Sequence, residues 1–241
     1  MTVDAGGHQL PLVRDAATNE YVNKIGRQVA AQADPRGIPY TFYVVNADVV
    51  NVFSLPGGYV YVNRGLVERA DNLSQLVGML AHEIGHVVER HGDQRSAKAE
   101  READHNAIVY ATRSGYNPAG LARFLDKMLA LRERSPGKVE QWISAHPLSA
   151  ERVRSIEAEI AATPGAESPK LVTDTPAFQS FRERLQSLTP PHAAAAGPVK
   201  RARYCRRRPR RERSRCQRRS SAASACRSRG SGSTGCSLPG P

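Results

Sequence analysis

The first 189 residues of this chain contain no cysteine. Cysteine pairs that hold a zinc knuckle are about two to four residues apart, whereas the cysteines here are ten or eleven residues apart. This spacing excludes a zinc knuckle, and residues 1–189 carry no cysteine that would indicate a redox compartment. The four cysteines all lie in residues 190–241: Cys205, Cys216, Cys226 and Cys236.

Long apolar runs are also absent. The chain opens with M-T-V-D-A-G-G-H-Q-L, which is too polar for the apolar region of a signal peptide. No later stretch approaches the roughly 18 consecutive apolar residues that a membrane-spanning helix requires. From the sequence as written we therefore expect a soluble chain.

Acidic residues are almost missing from the end of the chain. Residues 190–241 hold 14 basic residues and a single acid, Glu212, whereas residues 1–189 hold 21 basic and 22 acidic residues. The composition changes there to Arg, Ser, Pro and Cys, which leaves little to bury. We predict one domain over residues 1–189, followed by a disordered tail over residues 190–241.

The basic tail allows two interpretations. An arginine-rich segment with a net charge of +13 would bind nucleic acid or an anionic membrane through counterion release, with strong salt dependence. Alternatively, the abrupt change of composition indicates translation in a shifted reading frame and a tail without selected function.

Hydrophobic periodicity divides residues 1–189 into a small sheet and several helices. Runs rich in β-branched and aromatic residues predict strands over 40–46, 49–53 and 58–63. Apolar residues at three- and four-residue spacing, with capping residues before them, predict amphipathic helices. The predicted helices are 15–33, 73–91, 96–115, 117–134, 150–161 and 176–187.

The helix predicted over 73–91 carries the segment L-A-H-E-I-G-H. His82 and His86 are four residues apart, so their imidazoles project from the same face and can meet one metal ion. Glu83 lies beside them and is well placed to act as a general base on a metal-activated water. The alternative is a helix that carries two histidines by chance, because a lone pattern of this length is only moderately specific.

A catalytic zinc site needs a third protein ligand and one open position. Glu100 on the next predicted helix is the best candidate, since the connector after His86 is long enough to return to the metal. Asp104 lies one turn further along the same face. It could accept a hydrogen bond from the outer nitrogen of a ligand histidine and fix its tautomer.

Several ordered motifs resemble the gluzincin metallopeptidases, the family of HtpX, the CAAX prenyl proteases and the BepA-type periplasmic enzymes. The resemblance covers about residues 10–187. The motifs are N-V-F-S-L-P-G-G-Y-V-Y-V-N-R-G-L (51–66), L-A-H-E-I-G-H-V-V-E-R-H-G (80–92), E-R-E-A-D (100–104), G-Y-N-P (115–118) and A-H-P-L-S-A-E-R (145–152).

The resemblance implies a zincin-like α+β fold, with a small sheet packed on the H-E-I-G-H helix and a mostly helical C-terminal half. It implies one zinc ion per chain bound by His82, His86 and Glu100. Glu83 would be the catalytic base and Asp104 the hydrogen-bonding partner of a ligand. The strand at L-P-G-G-Y-V-Y-V would border the cleft, where an extended substrate can pair with its edge.

Three further residues allow more than one role: His146, His91 and Arg152. Spacing alone favours a surface histidine at His146, but the resemblance places the His-Pro pair near the site. There it would donate to the oxyanion or close the fourth zinc position. We predict that His91 is structural or solvated, since it has no partner one turn away on the metal face. Arg152 could pair with Glu100, with Asp104 or with substrate, but an arginine in a first helical turn is usually solvated, and we expect that for Arg152.

The function expected from these residues is zinc-dependent endopeptidase activity. The resemblance adds unfolded or extended protein substrates, a role in protein quality control, and a periplasmic or membrane-associated location, for which the written N-terminus has no export signal. Two other classes stay open: an inactive zinc-bound binding module, and a nucleic-acid or membrane binder acting through the basic tail.

Overall fold

A computed structural model describes residues 2–4, 9–34, 36–55, 57–91 and 96–188. The predicted tail over 190–241 lies outside these residues and stays a prediction. Within the described ranges, no helix is both long enough and apolar enough to span a bilayer. The strands are β1 (Thr2–Asp4), β2 (Gln9–Pro11), β3 (Thr41–Val45), β4 (Val52–Leu55) and β5 (Tyr59–Asn63). The helices are α1 (Ala16–Ala33), α2 (Arg64–Arg69), α3 (Leu73–Val88), α4 (Ala97–Arg113), α5 (Ala119–Arg134), α6 (Glu140–Ala145), α7 (Ala150–Ala162) and α8 (Pro176–Ser187).

The main sheet has three strands in the order β3-β5-β4. β3 runs parallel to β5, and β4 runs antiparallel to it, so that β4 lies at one edge among the described strands. Residues alternate between the two faces, as the pleat requires: Phe42, Val44 and Val60 are fully buried on the helix side. The expected sheet is therefore present, and β4 packs against α3.

Helix α3 is the centre of the core. Its first fourteen residues, through His86, are buried on every side, because α1, α4, α5 and the sheet surround it. The helix begins at a cap formed by Asn72, whose side chain accepts a hydrogen bond from the backbone N–H of Gln75. The α+β fold with its sheet on the H-E-I-G-H helix is thus confirmed.

The end of α3 and several short elements differ from the expectation. α3 ends at Val88, three residues before the predicted end, because Arg90 adopts a left-handed conformation with φ 57° that reverses the chain. The short helices α2 and α6 were not predicted, since six residues are too few to show helical periodicity. The hairpin of β1 and β2 was also missed.

Close contact between α3 and α5 depends on a glycine. A Cβ atom added to Gly120 would lie 2.2 Å from the backbone carbonyl group of Ser74, where no side chain can give way. We expect Gly120→Ala to lower the free energy of unfolding by about 3 kcal/mol or more, the upper end of the cost of overpacking. Gly137→Ala is the matched control, because nothing lies within 4 Å of the added atom. Urea denaturation checks this, and equal midpoints for the two variants would contradict it.

Candidate metal centre

The two histidines of the H-E-I-G-H segment face each other in the C-terminal half of α3. His82 is fully buried and His86 is 3% exposed. Their Nε2 atoms are 3.1 Å apart, because one turn of helix brings side chains four residues apart onto the same face. The structure therefore brings this predicted pair together.

Helix α4 supplies a carboxylate to the same point. Glu100 lies in its first turn, with Oε2 at 3.5 Å from His82 Nε2 and Oε1 at 3.4 Å from His86 Nε2. α4 can come this close because residue 85 of α3 is glycine. A Cβ atom on Gly85 would be 3.2 Å from both the Cα and the carbonyl oxygen of Ala103. The third predicted ligand is therefore beside the first two.

His146 completes the cluster from a distant part of the chain. It caps the C-terminal end of α6 and is 1% exposed. Its Nδ1 atom lies 3.2 Å from His82 Nε2 and 3.1 Å from Glu100 Oε2. The ring stacks on Trp142 with the centroids 5.0 Å apart and the planes 10° from parallel. His146 is therefore a buried part of the site and not a surface histidine.

The donor set of this cluster fits a metal ion. One ligand atom from each of His82, His86, Glu100 and His146 lies within 4.8 Å of the others. Four ligands at about 2.0–2.1 Å from a tetrahedral zinc are roughly 3.3 Å apart. The separations of His82 from His86 and His146, and of Glu100 from the three histidines, are 3.1–3.5 Å. Glu100 Oε1 is buried and has no hydrogen bond within the described part of the chain. Converging lone pairs of this kind need a cation between them.

The charges around the cluster also favour a bound cation. Burial acts to lower the pKa of His82, but the carboxylates of Asp104 and Glu100 outweigh it and raise that pKa to about 9. Burial acts to raise the pKa of Glu100, but the three histidines beside it hold the pKa well below its usual range. Burial keeps the pKa of His146 below its usual value. A metal ion would displace the proton of His82, so binding would release a proton.

Asp104 lies where the sequence predicted it. Its Oδ1 atom is 2.9 Å from His82 Nδ1, on the side of the ring away from the cluster. Arg152 from the first turn of α7 donates to both oxygens of Asp104 at 2.7 and 2.8 Å. The same guanidinium lies 2.9 Å from Glu100 Oε2, and its side chain is only 10% exposed.

The expectation of a solvated Arg152 was therefore wrong, and the alternative, in which it pairs with Glu100 and Asp104, is what the structure shows. α7 begins at Ala150 after the Ser149 cap, so that Arg152 lies in its first turn. A residue of the first turn can point to either side, and only the packing of α7 on α4 and α5 decides which. The motif A-H-P-L-S-A-E-R was the signal that joined His146 and Arg152 to one segment.

Glu83 lies beside the cluster and is fully buried. Its Oε1 atom is 3.2 Å from His146 Nε2, and its Oε2 atom accepts a hydrogen bond from Ser54 Oγ at 3.4 Å. Ser54 belongs to the edge strand β4. The carboxylate therefore stands between the histidine cluster and the edge of the sheet.

A family comparison matches the segments that build this centre. The model of peptidase family M48 matches residues 16–97 and 93–160, which include all four donors and Glu83. The chain belongs to peptidase family M48. Membership of this metallopeptidase family confirms the resemblance found in the sequence, and the buried histidine and glutamate cluster agrees with it.

The individual relatives share 24–30% of their residues with this chain over the matched regions. The beta-barrel assembly-enhancing proteases of Escherichia coli and Yersinia pestis are 27% and 30% identical over 190 residues, with 59% of this chain and 39% of each relative covered. The mitochondrial metalloendopeptidase OMA1 of Schizosaccharomyces pombe is 24% identical over 208 residues, covering 69% of this chain and 60% of the relative. The chain thus spans about two fifths of the length of the first two relatives.

Arg152 is expected to stabilise the fold as well as the site. Arg152→Met would leave the buried carboxylates of Asp104 and Glu100 without their cation, which costs about 3–5 kcal/mol when one partner of a buried pair is removed. Arg154→Met on the exposed side of α7 is the matched control. Chemical denaturation of the metal-free chains measures the difference. An unfolding midpoint for Arg152→Met equal to that of the control would refute this role.

Proposed function

We propose that this chain is a zinc-dependent metalloendopeptidase. The observation that carries the proposal is the buried set of donors around His82 and His86, with the Glu83 carboxylate next to it and facing an edge strand. Membership of peptidase family M48 supports the reaction class.

His82, His86 and Glu100 are the residues that we propose hold the zinc ion. Two imidazoles and one carboxylate form a donor set that zinc accepts in catalytic sites. Zinc would supply Lewis acidity, which polarises the scissile carbonyl and makes water acidic. Asp104 holds the His82 ring from its outer side, and Arg152 holds Asp104 and Glu100 in turn.

Glu83 is the proposed general base. It accepts a proton from the attacking water as the water oxygen bonds to the carbonyl carbon of the peptide. It then passes this proton to the leaving amine as the C–N bond breaks. Ser54 donates to the other carboxylate oxygen and so orients it. Burial of the carboxylate at 0% exposure excludes bulk water from this proton transfer.

The edge of β4 is the proposed place for the substrate. Among the described strands, β4 pairs only with β5, so its other edge can accept an extended peptide through backbone hydrogen bonds. Ser54 lies in this strand and contacts Glu83, which would bring a bound peptide to the base. An edge that pairs with backbone favours unfolded or extended protein substrates, and we propose a role in protein quality control. The relatives are named as proteases and metalloendopeptidases, which supports a protein substrate.

His146 has a specific place in this scheme. A catalytic zinc site keeps one position open for water or substrate, and His146 Nδ1 lies where a fourth ligand would be. The geometry therefore favours the second of its two expected roles, in which it closes the fourth position. We propose that His146 must withdraw from the cluster before hydrolysis.

Replacing the base tests the mechanism directly. Glu83→Gln keeps the shape of the side chain and cannot accept the proton, so we expect casein cleavage to fall by at least about 10²–10⁴-fold, the usual contribution of a general base. Zinc content, measured by metal analysis, should stay at one ion per chain. Glu89→Gln, an exposed glutamate just beyond α3, is the matched control and should cleave like the parent. Cleavage by Glu83→Gln at the parent rate would refute the assignment.

Removing His146 tests whether the site is closed in this conformation. His146→Ala leaves three proposed ligands and vacates the fourth position, so we expect weaker zinc binding together with a higher turnover number on casein. A lower turnover number would favour the oxyanion role instead. An unchanged turnover number in the folded, zinc-loaded variant would exclude both roles for His146.

A further inference from the structure

His86 has a partner on the side of its ring that faces away from the cluster. The chain turns back after α3, because Arg90 adopts the left-handed conformation with φ 57°. The backbone N–H of His91 then donates to the carbonyl oxygen of His86 at 3.1 Å, which closes a Schellman turn at the helix end. This turn places the His91 side chain over the last turn of α3.

A chain of two hydrogen bonds follows from this turn. His86 Nδ1 and His91 Nδ1 are 2.9 Å apart, and His91 Nε2 is 3.0 Å from Glu102 Oε2. The His91 side chain is 10% exposed, whereas that of Glu102 is 43% exposed. Glu102 belongs to α4, two residues after Glu100, and lies 3.4 Å from Lys98.

The direction of these hydrogen bonds is fixed by chemistry. A neutral His86 that offers the Nε2 lone pair to the cluster carries its proton on Nδ1 and donates it to His91 Nδ1. His91 must then carry its own proton on Nε2, where the Glu102 carboxylate accepts it. When a metal is bound, His86 and His91 therefore each have one allowed tautomer, and Glu102 accepts the last hydrogen bond.

We propose that His91 and Glu102 are positioning residues that fix the ring orientation and the tautomer of His86 for metal binding. This inference rests on the proposed zinc site. Partners of this kind raise the affinity of a ligand histidine for its metal, and their loss usually weakens binding by about 10–100-fold.

The two ligand histidines are thus held in different ways. Asp104 contacts His82 directly and is itself held by Arg152 inside the protein. His86 is held through a second imidazole that leads to a carboxylate at the surface. All three carboxylates involved, at positions 100, 102 and 104, come from α4. A single helix would therefore supply one ligand, the carboxylate that contacts His82, and the carboxylate that reaches His86 through His91.

The test measures zinc affinity and not catalysis. The full chain and its variants are titrated with zinc in competition with a chromogenic chelator, and cobalt-substituted samples are compared by visible absorption. His91→Phe keeps a planar ring and removes both hydrogen bonds, so we expect zinc binding weaker by about 10–100-fold and an altered cobalt spectrum. His105→Phe is the matched control. Like His91, His105 pairs with a glutamate, Glu159, but it lies on α4 and away from the cluster.

Changes at Glu102, the exposed end of this chain of hydrogen bonds, avoid any effect on folding of the core. Glu102→Ala should weaken zinc binding, and Glu102→Gln, which keeps an acceptor oxygen, should restore a large part of it. Lys98→Ala removes the other partner of Glu102 and should leave zinc binding unchanged.

Two results would overturn the proposal in distinguishable ways. Parent affinity and the parent cobalt spectrum in both His91→Phe and Glu102→Ala would overturn the positioning role while the zinc site stands. A parent chain that does not bind zinc would overturn the proposed function and this inference together.

Discussion

The structure depends on the burial of one carboxylate and three imidazoles at a single point inside the protein. Their lone pairs converge within about hydrogen-bond distance, with His86 Nε2 at 3.1 Å from His82 Nε2. Such a group is costly in a medium of low polarity unless a cation lies in the middle and hydrogen-bond donors surround it. The surrounding contacts meet this requirement. Arg152 neutralises the carboxylates on one side, and Asp104 and His91 contact the outer nitrogens of His82 and His86.

The packing of the helices follows from the same constraint. α3 carries two of the donors and is surrounded by other elements on all sides, so that water is excluded from the cluster. Glycine at position 85 lets α4 approach closely enough for Glu100 and Asp104 to contact the α3 histidines. α6 and α7 then cover the remaining side with His146 and Arg152. α4, α6 and α7 therefore each contribute a group to the centre as well as an apolar surface.

The closed donor set is consistent with a peptidase whose site opens for substrate. A fully ligated metal would be stable but could not bind water or a carbonyl. His146 is the donor best placed to leave, because it lies at the end of a six-residue helix, whereas the other three donors lie within long helices. Its contact with Glu83 links the fourth ligand position to the proposed base. Movement of one side chain would therefore free both groups at once.

The sequence by itself determined the parts of this protein that depend on local spacing. The pair His82 and His86, the adjacent Glu83, and the pair Glu100 and Asp104 follow from helical periodicity, which needs no knowledge of tertiary contacts. The family match agrees with these motifs. The principal strands and helices were predicted for the same reason, whereas the strands of three residues and the helices of six residues were too short to show a period.

Local spacing did not determine which distant groups join the centre: the family resemblance indicated His146, and only the tertiary structure showed the contacts that it and Arg152 make. His146 and Arg152 lie 46 and 48 residues from their partners Glu100 and Asp104, and no periodicity connects positions so far apart. His91 is near His86 in the sequence, yet a continued helix would have turned its side chain away from it. Only the left-handed turn at Arg90 brings the two rings together. Helical spacing is a property of the backbone, whereas these contacts arise only when separate elements pack and the chain reverses.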